Sequence, residues 1–252
     1  MKIQQIVLFV TFCFLSGCKN TSTELTTIQA KQIPINNSIK NDLIVDSIIQ
    51  PYRIHVKKEL NSVLSYNVRD MHKNDGVYES TIGNFMADLL LERSNAVFEK
   101  REGKKVDVFL MNHGGIRSAL GEGTIPLKAM YDVMPFDNTI VVVELTTQKL
   151  QQMLNYLSKA KRAHPIAGMT LKIDKNENIV ETTIGGKTIN KNKNYLIATS
   201  NFLYQGGDNM HFLANPVNYY ELDYKIRNAM IDYLKKIDTI DVSLDNRFIQ
   251  IR

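Results

Sequence analysis

The chain has 252 residues, of which 44% are hydrophobic and 23% are charged. This composition fits one globular domain with a sizeable buried core, and it excludes a chain that is disordered throughout. The formal net charge is +5, and the basic residues form no run longer than a pair such as Lys57-Lys58. The charge pattern therefore does not indicate nucleic-acid binding, although it allows a small anionic ligand.

The first seventeen residues have the pattern of an export signal. Lys2 precedes an apolar run over residues 6–15 that is too short to cross a bilayer as a mature helix. Residues 15–18 (LSGC) resemble the bacterial lipobox, in which cleavage leaves a lipid-carrying cysteine as the first residue. We therefore predict a signal peptide over residues 1–17, a lipidated Cys18 and a membrane-anchored protein of the bacterial cell envelope, on its periplasmic or surface side. The alternative is an ordinary cysteine beside a cleavage site.

The polar composition of residues 18–41 predicts a flexible linker, and residues 42–252 are predicted to form one domain. Apolar residues with helical spacing run from residue 43 to Val63, with a break or kink at Pro51. A second helix is predicted to begin near Glu79, and its core side is predicted to carry Ile82, Phe85, Met86, Leu89 and Leu90. The further predicted elements are strands over residues 106–111, 139–146, 168–174, 184–189, 195–199 and 248–251 and helices over residues 126–133, 147–160 and 223–236. The helix that runs to residue 160 has Thr147 as its predicted N-cap, and its predicted core residues are Leu150, Met153, Leu154 and Leu157. Because these elements are mixed irregularly, the sequence predicts an α+β fold.

Three predicted loops next to strands combine residue types that suit a nucleotide: residues 112–117, 135–138 and 201–208. The second and third contain Phe136 and Phe202, large rings among small and polar neighbours. Two such rings can stack on the faces of a base. A single phenylalanine is more often a core residue, so this hypothesis depends on the polar residues of the same loops.

Those polar and small residues match the other parts of a nucleotide. Arg117 offers a planar fork of donors for phosphate, and Asn112 can both donate to and accept from a base edge. Asp208 can accept hydrogen bonds from two vicinal hydroxyls. Gly114 and Gly115 allow the backbone to approach a ligand closely. Each residue alone has a simpler interpretation as an ion-pair, turn or cap residue, and only the combination favours a ligand site.

Four sequence blocks occur in an order that is typical of a known family. They are residues 79–88 (ESTIGNFMAD), 112–117 (NHGGIR), 134–138 (MPFDN) and 201–208 (NFLYQGGD), with residues 245–249 (DNRFI) near the end. Over about residues 42–252 the chain resembles the 5′-nucleotidase C-terminal domain. The resemblance implies a single mixed α/β domain of that type.

The resemblance also implies roles for individual residues. In that family, rings at positions such as Phe136 and Phe202 stack on the base. The residues at positions such as Asn112 and Arg117 contact base and phosphate, respectively. The aspartate at a position such as Asp208 binds ribose.

Two positions depart from the family pattern. Gly76 stands where many members carry an arginine, and Asn209 follows the Gly-Gly-Asp motif where glycine is usual. The departures predict a weaker contact with phosphate.

Hydrolysis of a phosphate ester calls for metal ions that polarise the phosphoryl group and activate water. In the resembled family a separate N-terminal metallophosphoesterase domain supplies them, and the residues before 42 are too few to form it. Asp70 and His72 have an Asp-x-His spacing, but no Asn-His pair follows. We therefore predict no metal ligand and no catalytic residue in this chain, and divalent metal ions in a partner.

Three hypotheses follow from these observations. In the first, the chain is the substrate-specificity domain of a 5′-nucleotidase acting in nucleotide breakdown: it binds a nucleoside 5′-monophosphate or related nucleotide, and a separate metallophosphoesterase subunit cleaves the phosphate. In the second, the lipoprotein binds nucleosides or nucleotides alone, or is a structural relic that contacts a partner, without a catalytic role. In the third, the same assembly acts on a nucleotide sugar, a cyclic nucleotide or a sulfur compound.

Overall fold

The structure, a computed structural model, describes residues 24–251. The predicted signal peptide and the predicted lipidation site at Cys18 lie outside the described residues. The chain divides into two compact units, one up to Ile49 and one from Gln50 onward. Within the described part of the first unit, residues 24–41 are exposed and form no helix or strand. The linker boundaries stay a prediction.

Helix α1 (Leu43–Leu60) has no buried residue and contains Pro51 in its interior. It begins after Asp42, whose carboxylate accepts hydrogen bonds from the amides of Ile44 and Val45 at 2.9 and 3.2 Å, as a helix N-cap does. The helix continues through Pro51, so the predicted alternative of a break is wrong, and the alternative of a kink stays a prediction. Proline leaves one carbonyl without its amide partner, and on an exposed helix that carbonyl remains hydrated.

Strands and helices alternate irregularly from Val63 onward, which confirms the α+β prediction. Val63 itself, predicted to continue the helical pattern, begins a strand instead. The strands are β1 (Val63–Asn67), β2 (Val108–Leu110), β3 (Gly123–Pro126), β4 (Thr139–Leu145), β5 (Ile166–Ala167), β6 (Met169–Ile173), β7 (Ile179–Ile184), β8 (Lys187–Thr188), β9 (Tyr195–Ser200), β10 (Asn218–Lys225), β11 (Thr239–Ile240) and β12 (Phe248–Gln250). The further α-helices are α2 (Thr81–Glu102), α3 (Leu127–Val133), α4 (Thr147–Ala160), α5 (Asn201–Tyr204) and α6 (Ile226–Leu234). None of the helices over residues 24–251 has the length and apolar character needed to cross a membrane.

The largest sheet has five strands in the order β10-β4-β9-β2-β5. β2 and β9 are parallel, with Phe109 opposite Ala198, and β4 is antiparallel to β9, with Ile140 opposite Ser200. Phe109 packs in a hydrophobic cluster with α2 and α6, whereas its neighbour Val108 packs in a second cluster with α4. Both faces of the sheet are therefore buried, which explains why its strands read as nearly continuous apolar runs. Two smaller sheets have the orders β11-β1-β3 and β12-β6-β7-β8.

The helix predicted near Glu79 is α2, and its buried face is confirmed. It begins after Ser80, whose hydroxyl accepts the amide of Gly83 at 3.2 Å, and it ends at Gly103 in the left-handed conformation with φ of 64°. Its buried apolar residues include the five that the helical spacing predicts, Ile82, Phe85, Met86, Leu89 and Leu90.

Several predicted boundaries are wrong for local reasons. The predicted helix over residues 223–236 begins only at Ile226, because residues 218–225 form the edge strand β10. Only Leu222 of that strand is buried, so its sequence lacks the regular apolar alternation of a half-buried strand. The strand predicted at residues 184–189 is a hairpin of β7 and β8 instead, turning at two glycines in the left-handed conformation.

The N-cap of α4 is Thr146 rather than Thr147. The hydroxyl of Thr146 accepts a hydrogen bond from the amide of Lys149 at 3.4 Å, so the cap lies one residue before the predicted position. The predicted end of this helix at Ala160 is confirmed.

Candidate functional site

The three predicted loops meet at one edge of the five-stranded sheet. The parallel strands β2 and β9 both end at this edge, and β4, which is antiparallel to β9, begins there. The segment after β2 starts at Asn112, and the loop before β4 contains Phe136. The prediction of a loop over residues 201–208 is wrong at its start, because residues 201–204 form helix α5, which contains Phe202. Strand pairing thus brings together residues that are far apart in the sequence, at the kind of edge where ligands bind in mixed sheets.

These segments form a pocket of about 270 Å³. Its size is near the lower end of the range for small-molecule sites, roughly 300–1,000 Å³, and suits a group about as large as a nucleoside. Asn138 lines the pocket together with all seven residues that the sequence predicts to bind substrate, Asn112, Gly114, Gly115, Arg117, Phe136, Phe202 and Asp208. The part of a nucleotide that each of them contacts stays a prediction.

Two aromatic side chains, Phe136 and Phe202, form what we call the ring pair. They are 40% and 44% exposed, unlike the fully buried rings of the core. Gly207 leaves room for the second ring, because a Cβ atom at this position would lie 2.4 Å from the ring of Phe202. The Gly-Gly-Asp motif therefore allows the chain to pass directly beside an exposed ring.

Asn112 and Asp208 form what we call the polar pair. The side-chain amide of Asn112 donates a hydrogen bond of 2.7 Å to the carboxylate of Asp208. Asn112 is buried, and a Cβ atom on Gly115 would lie 2.9 Å from its amide oxygen, so a glycine is needed beside it. Asp208 is exposed, and its carboxylate has lone pairs left to accept hydrogen bonds from a ligand.

The backbone of Asp208 is in the left-handed conformation, with φ of 50°, and so is that of Asn209, with φ of 58°. Asparagine tolerates this conformation better than most residues, so position 209 can adopt it without a glycine. The hydroxyl of Tyr156 donates a hydrogen bond of 2.9 Å to the carbonyl of Asp208. Burial raises the pKa of Tyr156, which keeps that hydroxyl protonated.

Two histidines support the segment that follows β2. The amide of His113 donates to Nδ1 of the buried His164 at 3.2 Å, and burial lowers the pKa of His164 to about 4. Near pH 7 this imidazole is therefore neutral, and Nδ1 is its acceptor atom. Nε2 of His113 lies 2.9 Å from the side-chain oxygen of Asn74, and the pKa of His113 is lowered by burial and by the charge of Lys73.

Arg117 lines both the pocket and a second cavity of about 410 Å³. Its guanidinium lies 5.9 Å from the centre of the Phe136 ring. Lys73 also lines the second cavity, and its ammonium donates to the carbonyl of Ile116 at 2.9 Å, next to Arg117 in the chain. Asp75 is the acidic residue of this cavity, and its carboxylate accepts hydrogen bonds from Thr81. Two cationic side chains, Arg117 and Lys73, therefore lie on the same side of the pocket.

Gly76 has no room for the arginine that many family members carry at this position. A Cβ atom on Gly76 would lie 2.3 Å from the backbone oxygen of Glu79, so any side chain would require the backbone to move. Lys73, three residues earlier, is a cation near Arg117 that the sequence analysis did not select. Asn138 was not selected either, although it belongs to the same sequence block as Phe136.

Among residues 24–251, no group of three or more His, Cys, Asp or Glu side chains is placed to hold a metal ion. Asp70, half of the Asp-x-His spacing, accepts the amide of Glu122 through its carboxylate at 2.7 Å instead.

The model of the family described as the 5′-nucleotidase C-terminal domain matches residues 59–215. The chain belongs to this family. The trifunctional nucleotide phosphoesterase protein YfkN of Bacillus subtilis is 31% identical over 173 residues, and the 5′-nucleotidase of Vibrio parahaemolyticus is 21% identical over 222 residues. Among solved structures, the 5′-nucleotidase precursor of Thermus thermophilus superimposes with a TM-score of 0.68 at 22% identity, which supports the fold.

The alignments cover much of this 5′-nucleotidase C-terminal domain but only part of each relative. The YfkN alignment covers 63% of this chain and 11% of the relative, and the Vibrio alignment covers 85% and 38%. The superposition on the Thermus structure covers 83% of this chain and 43% of the Thermus chain. The family resemblance and the mixed α/β fold predicted from the sequence are confirmed. The chain spans less than half the length of each of these relatives.

Proposed function

We propose that residues 42–252 bind a nucleoside 5′-monophosphate or a related nucleotide as the substrate-specificity domain of a 5′-nucleotidase-type phosphohydrolase. The observation that carries this proposal is the pocket in which the ring pair, the polar pair and Arg117 come together. Two exposed rings offer faces to a base, the free lone pairs of Asp208 offer acceptors to ribose, and Arg117 offers donors to phosphate. Membership of the 5′-nucleotidase C-terminal domain family supports the same ligand class.

The catalytic step in this proposal belongs to a separate metallophosphoesterase subunit that holds divalent metal ions. Binding energy gained on base and ribose would orient the phosphoryl group toward the partner, since fixing the geometry of two reactants lowers the barrier between them. A lipid on Cys18, on the periplasmic or outer side of the envelope, would keep both subunits at the same membrane surface.

The decisive experiment measures ligand binding and phosphate release by residues 19–252. Calorimetric titrations with AMP, adenosine and UDP-glucose compare the wild type with Phe202→Ala and with Tyr219→Ala. Tyr219 is a matched control, because it is 40% exposed but stacks on Tyr204 outside the pocket. We expect Phe202→Ala to weaken AMP binding by about tenfold or more, since base stacking contributes about 1–3 kcal/mol, and Tyr219→Ala to leave it unchanged.

The same samples are assayed for phosphate release with Mn²⁺ or Zn²⁺. The absence of binding of all three ligands by the wild type would contradict the proposal and favour a structural relic. Metal-dependent turnover by the chain alone would contradict the need for a partner. Envelope extracts of the cells that produce the protein test the partner directly: the wild type should raise metal-dependent AMP hydrolysis, and Phe202→Ala should not. Binding without any stimulation would favour a stand-alone nucleotide-binding lipoprotein.

A further inference from the structure

Arg227, near the start of α6, makes hydrogen bonds to the backbone of the loop that contains Phe136. Its Nη1 atom donates to the carbonyls of Met134 and Phe136 at 3.1 and 3.2 Å, and its Nη2 atom donates to the carboxylate of Asp137 at 2.5 Å. The side chain of Arg227 is only 9% exposed. One buried guanidinium therefore makes hydrogen bonds to three residues of this short loop.

The guanidinium also lies against an aromatic ring, and a backbone hydrogen bond ties the same loop to α6. Its central carbon lies 4.4 Å from the centre of the Tyr131 ring, and the amide of Ile226 donates to the carbonyl of Asn138 at 3.0 Å. The loop is thus attached to the first turn of α6 at Met134, Phe136 and Asn138. Lys225 adds only a contact of 3.2 Å to the exposed carboxylate of Asp137, whose pKa is lowered first by its hydrogen bond to Arg227.

The ring of Phe136 belongs to neither hydrophobic cluster of the core. It is 40% exposed, and the guanidinium of Arg117 lies 5.9 Å from its centre. The position of an exposed ring follows from the backbone that carries it. The buried Arg227 is costly, since an arginine taken out of water needs several good partners, and an apolar residue would fill the same space at a lower cost.

We propose that Arg227 is a positioning residue, which holds the loop of residues 134–138 so that the Phe136 ring faces the base site. This inference rests on the proposed function for the identity of the ligand, but the effect on the loop is independent of any ligand. Arg227 makes no contact with the pocket itself, and it acts through the backbone of Phe136.

The first test follows the Phe136 ring by NMR in residues 19–252 labelled with ¹³C only in phenylalanine. The signal of Phe136 is assigned with Phe136→Leu, and that of Phe202 with Phe202→Leu. We expect Arg227→Met to move or broaden the Phe136 signal and to leave that of Phe202 in place. Arg227→Lys should do the same, because an ammonium cannot bond in plane to two carbonyls and a carboxylate. Lys225→Met is the matched control and should change neither signal. An unchanged Phe136 signal in both Arg227 variants would overturn the proposal.

The second test is a double-mutant cycle of AMP affinity. We expect Arg227→Lys to weaken AMP binding about tenfold when Phe136 is present, which is within the range for loss of one stacking ring. In the Phe136→Ala background the same change should cost less than about twofold, because both changes act on one ring. If Arg227→Lys weakened AMP binding by the same factor in both backgrounds, the proposal would be overturned. If the wild type binds no AMP, the proposed function fails, while the NMR experiment still decides whether Arg227 positions the loop.

Discussion

The polar pair and the ring pair lie in one pocket but are held by different kinds of contact. Asn112 is buried and hydrogen-bonded to Asp208, and the carbonyl of Asp208 accepts a further hydrogen bond from Tyr156. Phe136 and Phe202 are both about two-fifths exposed. The polar pair is in position before a ligand arrives, whereas the rings have apolar surface that a ligand can bury.

This difference indicates how the pocket divides its binding energy. A preformed acceptor does not have to be ordered again when a hydroxyl binds to it, so its hydrogen bonds contribute fully to affinity. Exposed rings gain from burial, at about 25 cal/mol per Å² of apolar surface removed from water. Variants of the polar pair are therefore expected to affect nucleotides through hydrogen bonding, and variants of the ring pair through stacking.

Loss of the carboxylate of Asp208 is expected to give the largest change. Asp208→Ala should weaken AMP and adenosine binding to residues 19–252 by about 100-fold, since the ribose loses a charged acceptor and the buried amide of Asn112 loses its partner. Calorimetry measures both affinities. The matched control is Asp223→Ala, because Asp223 is also exposed with a left-handed φ of 51° but lies outside the pocket. Equal effects of the two variants would contradict the role of Asp208.

Acidic pH is expected to lower the unfolding free energy through His164, whose imidazole supports the segment that follows Asn112. The pKa of His164 is about 4 in the folded protein and 6.5 in the unfolded chain, because burial disfavours the imidazolium. The unfolded chain therefore binds more protons between these values, and the unfolding free energy should fall as the pH drops from 6.5 to 4, by on the order of 3 kcal/mol. Denaturant unfolding at several pH values measures this slope.

The control for this slope is a pair of histidine variants. His164→Gln should flatten the pH dependence between 6.5 and 4, whatever its effect on stability at pH 7. His211→Gln, at an exposed position, should leave it as in the wild type. A wild-type slope that persists in His164→Gln would show that other groups titrate in this window.

The smallest expected effect on affinity concerns Lys73, which lies near Arg117. Lys73→Met should weaken AMP binding by about fivefold, as for loss of one partly exposed charge near a phosphate, and should leave adenosine binding unchanged. The ratio of the two affinities, measured by calorimetry at low and high salt, isolates the phosphate, and the effect should shrink as salt increases. Lys187→Met, in the exposed strand β8, is the control. An equal loss for AMP and adenosine would place Lys73 away from the phosphate.

Sequence patterns predicted local features well where one face of an element is buried. The buried apolar residues of α4, Leu150, Met153, Leu154 and Leu157, recur at helical spacing because the residues between them are less buried. In α2 the five predicted core residues are buried, but so is every residue from 82 to 87. Strand β10 was missed because it is an edge strand with a single buried residue. Pro51 predicted a break that an exposed helix does not need. Local patterns fail where packing or hydration, rather than periodicity, decides the conformation.

The sequence by itself determined the family and the residue types of the site. Ordered motifs and two phenylalanines among small and polar neighbours were enough to select seven of the eight residues that line the pocket. Only the tertiary structure decided that these residues share one pocket, because that depends on β2 and β9 being parallel neighbours and β4 being antiparallel. It alone also decided that Gly76 has no room for a side chain and that Arg227 makes hydrogen bonds to the loop that contains Phe136. Contacts between distant residues are set by strand pairing and packing, which leave no periodic pattern in the sequence.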